Sequence, residues 1–517
     1  MRKLTILIAS FILSNGAFAQ SADELYSMSL QYKNFSTSRV SAMGGAFTSL
    51  GADISSIGIN PAGIAMYKGN GAFSITPSLN IASTKSNSYS NNNYSSTEKE
   101  NATKGILANV GLVYNSELRG SGLKSVAVGF SYNTNYSNKA KSVVNGLETS
   151  SSILDMFSAQ ATGYSASTLK DYDVYLSEYG AAGAYDAGLI FKPYSNENSY
   201  FPSYENTNGE LVGSLIEGDI VTPQLIRVVE EHSSDYNFSL GFNVNDVLYL
   251  GTTLGCAEYH SSLYNDYSEY ASYSNYGDMD NMLYSQTINK NAIAFNFIFG
   301  ATLQPMPGLR IGASIQAPKI YSVQEEYQTY VLGEFYENGD IVGYGSLSPL
   351  TYSEYKVKTP TRLNTGISYA FGKVALLSVD YERIWYNQIK MKYSGDRSYL
   401  PEVTEEIQNT YKPTNNIRAG LELNIPGGLV LRGGYAYYDS ALKDSDYGAV
   451  TSISGGLGYR VGTCSIDLTY VNMSTKATPF LMYDYYSDYY DQYFSSSSIS
   501  QSKLTNHNIM LTFSWRL

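Results

Sequence analysis

The chain has 517 residues, 43% of them hydrophobic and only 15% charged, whereas about a quarter of a typical soluble domain is charged. A formal charge of −12 repels polyanions and excludes nucleic acid as a partner. Tyrosine fills 50 positions and glycine 45; so many amphipathic rings suit β-strands that stand with one end in an apolar phase and the other in water.

Arg2 and Lys3 precede the apolar run LTILIASFIL, which leads through Ser14, Asn15 and Gly16 into Ala17-Phe18-Ala19. These are the three regions of a secretory signal peptide (residues 1–19), with cleavage expected after Ala19 and Gln20 as the first mature residue. The run is about half the length a spanning helix needs. Losing Arg2 and Lys3 brings the charge to −14. No cysteine follows the cut, so a lipid anchor is not expected. No later stretch has eighteen consecutive apolar residues, which leaves a closed β-barrel as the spanning structure.

Residues 20–70 do not alternate like strands and are rich in small side chains. From residue 71 to 517 the pattern changes to apolar residues alternating with small or polar ones. Phe73 to Ile81 reads as a first strand. In Lys104 to Asn115, Ile106, Ala108, Val110, Leu112 and Tyr114 share one face by simple alternation. Val126 to Tyr132, Phe238 to Val244, Val247 to Cys256, Ile293 to Phe299 and Leu309 to Gln316 follow, the last placing Arg310 on an inner, polar face. Later hairpins turn at Gly372, Pro426-Gly427-Gly428 and Gly462, and Ser378, Asp380 and Glu382 share one inner face. The strand count is roughly fourteen. Short turns alternate with long segments at 84–103, 133–235, 257–290, 317–360, 386–414 and 474–503, so both termini are expected on the periplasmic side of an outer membrane. The ending Phe513-Ser514-Trp515-Arg516-Leu517 resembles the signal read by the outer-membrane barrel assembly machinery, with Leu517 where a Phe is usual.

Within 20–70, Arg39, Gly44-Gly45-Ala46-Phe47, Ala52-Asp53 and Asn60-Pro61-Ala62-Gly63 resemble the N-terminal hatch of the FadL/OmpP1/TodX family of outer-membrane transporters. The likeness extends to LQPMPGLRIGASIQAPKIY, TPTRLNTGISYAFGKVALLSVDYERIWY and NNIRAGLELNIPGGLVLRGGYAYYDS. It implies an all-β fold: a transmembrane antiparallel barrel of about 14 strands, plugged by a hatch that includes Gly44, Gly45, Asp53, Asn60, Pro61, Ala62 and Gly63. It also implies passive uptake, through a gap in the wall, of long-chain fatty acids or other hydrophobic small molecules. A monomer working among outer-membrane lipids is expected, with no cofactor. Pro61 and its small neighbours suit either a hinge or a rigid turn that seats the hatch.

Catalytic groups are scarce. The histidines are His232, His260 and His507, without an HExxH pair, and no G-x-S-x-G elbow occurs. GISYAFGK has one residue too many for a phosphate loop and no following Ser or Thr. Glu230-Glu231, Glu325-Glu326 and Glu405-Glu406 fall in loop-like segments and read as solvated. Asp278, Asp280, Asp484, Asp488 and Asp491 lack a Gly-centred calcium loop. Cys256 and Cys464 read as small buried residues, and His507 as the only strand-borne histidine. Met156, Phe157 and Leu169 are either a ligand-capturing loop or ordinary packing. The alternative to a transporter is a structural or surface-interaction barrel whose Tyr-rich loops are the working part.

Overall fold

The computed structural model describes residues 22–32, 35–90, 93–118, 122–193, 198–203, 220–272, 279–337, 339–443, 445–487 and 490–517. The signal peptide, Gln20, Asp278 and Asp488 lie outside the described residues.

The wall consists of β1 (Gly71–Ser90), β2 (Glu98–Glu117), β3 (Leu123–Asn145), β4 (Ile220–Val244), β5 (Leu248–Ser272), β6 (Met279–Met306), β7 (Leu309–Gln316, continued by Ile320–Glu337), β8 (Thr351–Lys358 with Arg362–Phe371), β9 (Ala375–Ile384 with Lys390–Tyr393), β10 (Thr414–Asn424), β11 (Leu429–Tyr438), β12 (Val450–Val461), β13 (Cys464–Thr475) and β14 (Ile499–Arg516). Each pairs antiparallel with its sequence neighbours, and β14 returns to β1 over Ala72↔Arg516 to Tyr89↔Ile499, closing a 14-stranded barrel. Closure leaves no free sheet edge between the first and last strands, which hydrocarbon could not satisfy.

Outward residues form an apolar belt, with Phe295 81% exposed, edged by Tyr114, Phe371, Tyr459 and Trp515 at the short-turn end and by Tyr236, Tyr381, Tyr435 and Tyr470 at the other. This is the aromatic-girdled band of an outer-membrane barrel. Cys256 and Cys464 belong to the outer surface: both are free and exposed, so the expectation of burial in protein is corrected. A thiol is apolar enough to face hydrocarbon.

The turns at Gly372, Pro426 to Gly428 and Gly462 stand as expected, with Gly372, Gly427, Gly428 and Gly462 at positive φ. The long segments differ. About ten residues cross a membrane, yet β6 has 28 and β4 and β5 have 25 each. Most of what reads as loop in 84–103, 257–290 and 317–360 is therefore strand projecting beyond the membrane. Glu230-Glu231 and Glu325-Glu326 lie on β4 and β7, Glu405-Glu406 on helix Pro401–Thr410, and His232 and His260 face each other across β4 and β5. Each of these corrects a loop assignment.

Simple alternation also fails in β2. Thr76 pairs with Asn109 but Pro77 with Leu107, leaving Ala108 as the extra residue of a bulge. Pro77 has no N–H for the ladder, which makes this the place where register breaks. Leu107 and Val110 consequently face outward while Ala108 is buried, so Ile106 and Ala108 do not share the face of Val110, Leu112 and Tyr114.

Between β3 and β4 the chain forms the helices Ile153–Ala161, Ala166–Lys170 and Tyr179–Asp186 over the outer mouth. Met156, Phe157 and Leu169 are buried there among Tyr267, Tyr284, Tyr327 and Tyr483, packing the cap onto the barrel.

Candidate functional site

The lumen is filled by residues 35–67, three short pieces of helix: α2 (Ser38–Ala42), α3 (Ser56–Ile59) and a 3-10 turn (Pro61–Met66). Small residues and local caps shape this plug. The Thr37 side chain accepts from Val40 N, Asn60 Oδ1 accepts from Ala62 N, and Pro61 opens the 3-10 turn where its missing N–H costs nothing. Gly44 and Gly45 take φ of +64° and +76°, a left-handed bend that glycine adopts without strain. Asp53 accepts from Thr37 Oγ1 (2.9 Å) and Ser55 N (3.0 Å), tying the start of α2 to the start of α3.

The wall meets the plug through a ring of inward glycines. A Cβ on Gly434 would lie 2.1 Å from Gly44 N, one on Gly251 2.3 Å from the Pro61 carbonyl carbon, and one on Gly312 2.3 Å from Thr48 O; Gly300 and Gly420 stand as close to Asn60 and Met43. Wall side chains hydrogen-bond the plug backbone at these approaches. Asp380 accepts from Phe47 N, Thr48 N (both 2.8 Å) and Thr48 Oγ1 (2.6 Å), and Asn60 Nδ2 donates to Thr302 Oγ1 (3.1 Å) and Ala301 O (3.2 Å). Thr253 donates to Ile57 O, Ser314 to Ile59 O and Thr469 to Ser38 O. Arg39 pairs with Glu422 (2.9 Å), which also takes Arg432 (2.8 Å), and Arg432 reaches Asp467 (2.6 Å). On the inner face read at Ser378, Asp380 and Glu382, Asp380 is thus a seat for the plug, while Glu382 bonds Arg418 at 2.9 Å.

Above the plug lies a cavity of ≈ 340 Å³. Its near side is the segment before the plug: Glu24, Tyr26 and Ser27 of helix α1 (Ala22–Ser27), then Leu30 and Tyr32. Its far side is wall, with Tyr136, Tyr259, Leu263, Ile288 and Leu504, closed by Tyr411 and Phe480. The charged side chains that reach it are Glu24, Arg227, Glu231, Lys290 and Lys476. Lys290 pairs with Glu24 and, at 3.3 Å, with Glu325, and Glu231 accepts from Tyr259 OH at 3.1 Å. Tyr26 stacks on Tyr411 with ring centres 4.9 Å apart and meets Tyr386 edge-on. The result is an aromatic-walled pocket with a small number of polar anchors, the composition that suits an apolar ligand.

The wall beside the cavity is split. β2 and β3 pair only from Asn109↔Asn133 to Glu117↔Ser125. Beyond that point β3 carries a bulge at Asn135, keeps its ladder with β4 and turns inward, where Thr84 of β1 donates to the Lys141 carbonyl. Tyr32 N donates to the Asn135 carbonyl at 3.0 Å, so the segment that lines the cavity also holds the bulge. Across the gap the contacts among the described residues run through side chains: Thr134 Oγ1 donates to the Leu107 carbonyl (2.8 Å), Lys141 pairs with Glu100 (3.2 Å) and Asn145 Nδ2 donates to Glu98 (3.0 Å). Tyr136, Asn138, Ala140 and Ser142 of the diverted strand line the cavity, so pocket and gap share one strand.

None of Gly44, Gly45, Asp53, Asn60, Pro61, Ala62 or Gly63 lines this cavity; all lie in the plug, and Asp53 borders a smaller space of ≈ 120 Å³ beneath it. The pocket residues carry no motif. Two tyrosines, Tyr26 and Tyr32, in the lead to a segment of small residues are the one hint the sequence offers. Among the described residues no group of three His, Cys, Asp or Glu side chains is placed to hold a metal. Asp484 and Asp491 bond instead to Tyr493 and Tyr486. His507 sits between Tyr470 OH (2.7 Å) and Asn472, and no serine bonds it among the described residues.

The plugged, closed 14-strand barrel with a diverted wall strand defines an outer-membrane β-barrel with a hatch. No family model and no curated protein matches the sequence. Among solved structures, a Pseudomonas aeruginosa FadL homologue aligns with a TM-score of 0.53 at 12% identity, covering 94% of this chain and 98% of its own. The Pseudomonas putida toluene transporter TodX aligns at 0.48 and 12%, covering 92% and 97%, and the Ralstonia pickettii toluene transporter TbuX at 0.45 and 16%, covering 93% and 98%. The first likeness shows that the FadL-type fold expected from the sequence is the fold of this chain.

Proposed function

We propose that the protein is a passive outer-membrane channel for hydrophobic small molecules, with long-chain fatty acids the first candidates, and that residues 20–70 act as its hatch. The observation that carries this reading is the shared strand: the apolar cavity and the gap in the wall are both bounded by the upper half of β3. A hydrophobic solute gains nothing from a water-filled pore, but it is stabilised in an apolar pocket and again in the acyl phase. Capture in the cavity followed by exit through the gap moves it past the polar sugar layer without passing the plug's full depth. Tyr32 touches both ends of this route, so displacement of α1 by a ligand releases the Asn135 bulge. The barrel is taken to act as a monomer.

The test closes the gap. In a Cys256→Ser/Cys464→Ser background, Glu100→Cys and Lys141→Cys are joined by a reducible bis-thiosulfonate linker, and uptake of a labelled fatty acid into cells is followed. Uptake falls to the level of cells lacking the protein and returns on reduction. Unchanged uptake in the linked protein moves the function to the exposed tyrosines of the outer tips, such as Tyr94, Tyr175 and Tyr352, and to the surface-interaction reading.

A further inference from the structure

Four lysines stand close together on the outer surface of β8 and β9. Lys356 and Lys358 on β8 stand directly opposite Lys392 and Lys390 on β9, as the pairs Lys356↔Lys392 and Lys358↔Lys390. Their neighbours Tyr355, Val357 and Met391 are buried inward, so by alternation all four lysines point out of the barrel. Directly opposite residues stand roughly 5 Å apart and successive same-face residues about 7 Å. Four ammonium groups therefore rise from a patch smaller than a hexose phosphate. Like charges facing each other across a ladder oppose strand pairing, and here two such pairs are stacked.

No ion pair among the described residues includes any of the four, whereas Lys104, Lys139, Lys141, Lys290 and Lys319 all have carboxylate partners. Glu354, two residues before Lys356 on the same face of β8, accepts from Gln324 Nε2 at 3.3 Å. Lys392 donates to the Asp396 carbonyl, and the Tyr399 ring lies 5.7 and 5.8 Å from the Lys390 and Lys392 ammonium groups, steering both. The depth is specific too. Lys358 pairs with Ile320, the last exposed apolar residue of β7 before Ser322 and Gln324. The patch stands beyond the apolar belt, whose upper edge on β9 is Tyr381 opposite Thr365, and lysine stems reach back along the wall toward the lipid head groups.

We infer that the outer face of Lys356, Lys358, Lys390 and Lys392 is a binding site for the phosphate groups of an anionic outer-leaflet lipid. Charge complementarity and the reach of the lysine stems along the wall toward the head groups favour a phosphorylated lipid over a soluble anion. A second aligned row, Lys99, Lys85 and Lys503 across β2, β1 and β14, has no aromatic ring on its ammonium groups among the described residues.

The experiment uses delipidated full-length barrel in phosphatidylcholine nanodiscs containing diphosphoryl lipid A, fully dephosphorylated lipid A, or no lipid A with inorganic phosphate added. Bound lipid is counted by native mass spectrometry, and lysine acetylation is mapped by peptide. Since each basic residue at an anionic surface contributes roughly a factor of five in partition, removing all four as Lys→Gln lowers retention of diphosphoryl lipid A by at least about tenfold. The four-fold Lys→Arg variant retains it. In the unmodified protein the peptides bearing the four lysines are protected from acetylation by diphosphoryl lipid A alone. Equal retention by the Lys→Gln variant, equal binding of the dephosphorylated lipid, protection by inorganic phosphate, or no protection of these peptides overturns the site. The footprint is read on unmodified protein, so a variant that fails to assemble leaves the test intact.

Discussion

Gly434 and Gly433 are adjacent in β11 and differ only in the side of the wall they face. A Cβ at Gly434 would meet Gly44 N, the Met43 carbonyl carbon and Ser454 Oγ between 2.1 and 2.6 Å, while one at Gly433 would meet nothing within 4 Å. Valine suits a strand on propensity, so the pair separates the wall from the plug. Gly434→Val is expected to leave the barrel assembled, with its heat-modifiable mobility on gels unchanged. It raises proteolytic cleavage within 35–67, by an amount matching an overpacking cost of about 1–3 kcal/mol. Gly433→Val changes neither. Equal cleavage in the two variants would mean that the glycine ring does not seat the plug. The sequence shows these glycines but not their facing, because a glycine on the inner row of an alternating strand looks the same whether it borders water or a packed backbone.

At the scale of elements, the membrane-embedded halves of the strands are legible and the projecting halves are not. Phe238 to Val244 alternates visibly because one face meets lipid. Beyond Tyr236 both faces of β4 meet polar groups, so Glu230-Glu231 looks like a loop although the ladder continues to Ile220. The bulge at Ala108 was likewise hidden, since it is imposed by Pro77 on the neighbouring strand. These projections bear the outer cap, and one carboxylate there is placed to make the cap sensitive to pH. Glu269, in the part of β5 above the membrane, accepts from Ser152 Oγ, Ile153 N (2.7 Å) and Tyr267 OH (2.6 Å), holding the N-terminus of the Ile153–Ala161 helix. Burial pushes its carboxyl up to about 7, against the lowering effect of those three bonds. Asp155 and Tyr483 face the same site, and burial also raises the Asp155 carboxyl. A folded-state value above the ordinary 4.5 means the folded cap binds the proton more tightly than the open one. The cap is therefore most stable below about 4.5 and loses that stability as pH rises through about 7. Hydrogen exchange of 153–161, corrected for intrinsic rate, is expected to be faster at pH 8 than at pH 5. Glu269→Gln removes the difference; a difference that survives this substitution would place the titration elsewhere.

For the whole molecule, two assemblies share one space while using different bonds. The wall closes through a continuous antiparallel ladder that returns from β14 to β1, and the plug enters no part of that ladder. Its attachments are side-chain hydrogen bonds, the Arg39–Glu422 pair and the glycine contacts. Fold class, plug and strand number were legible because barrel hairpins and the Gly-Gly-Ala and Asn-Pro-Ala-Gly segments have local signatures. The cavity and the gap were not, since they arise where 22–32, β3, β4 and β6 converge, and no single segment carries that meeting. Independence of wall and plug has a direct consequence for deletion. Removing 20–60 uncovers Asp380, Glu422, Arg432 and Asp467, which lose their plug partners but become hydrated in an open lumen, so the cost of buried unpaired charge does not arise. The deletion variant is expected to assemble as a heat-modifiable barrel, to pass ions in planar bilayers where the intact protein does not, and to alter fatty-acid uptake. An assembled deletion variant that remains closed to ions would show that the outer cap of 153–186, rather than the plug, seals the barrel.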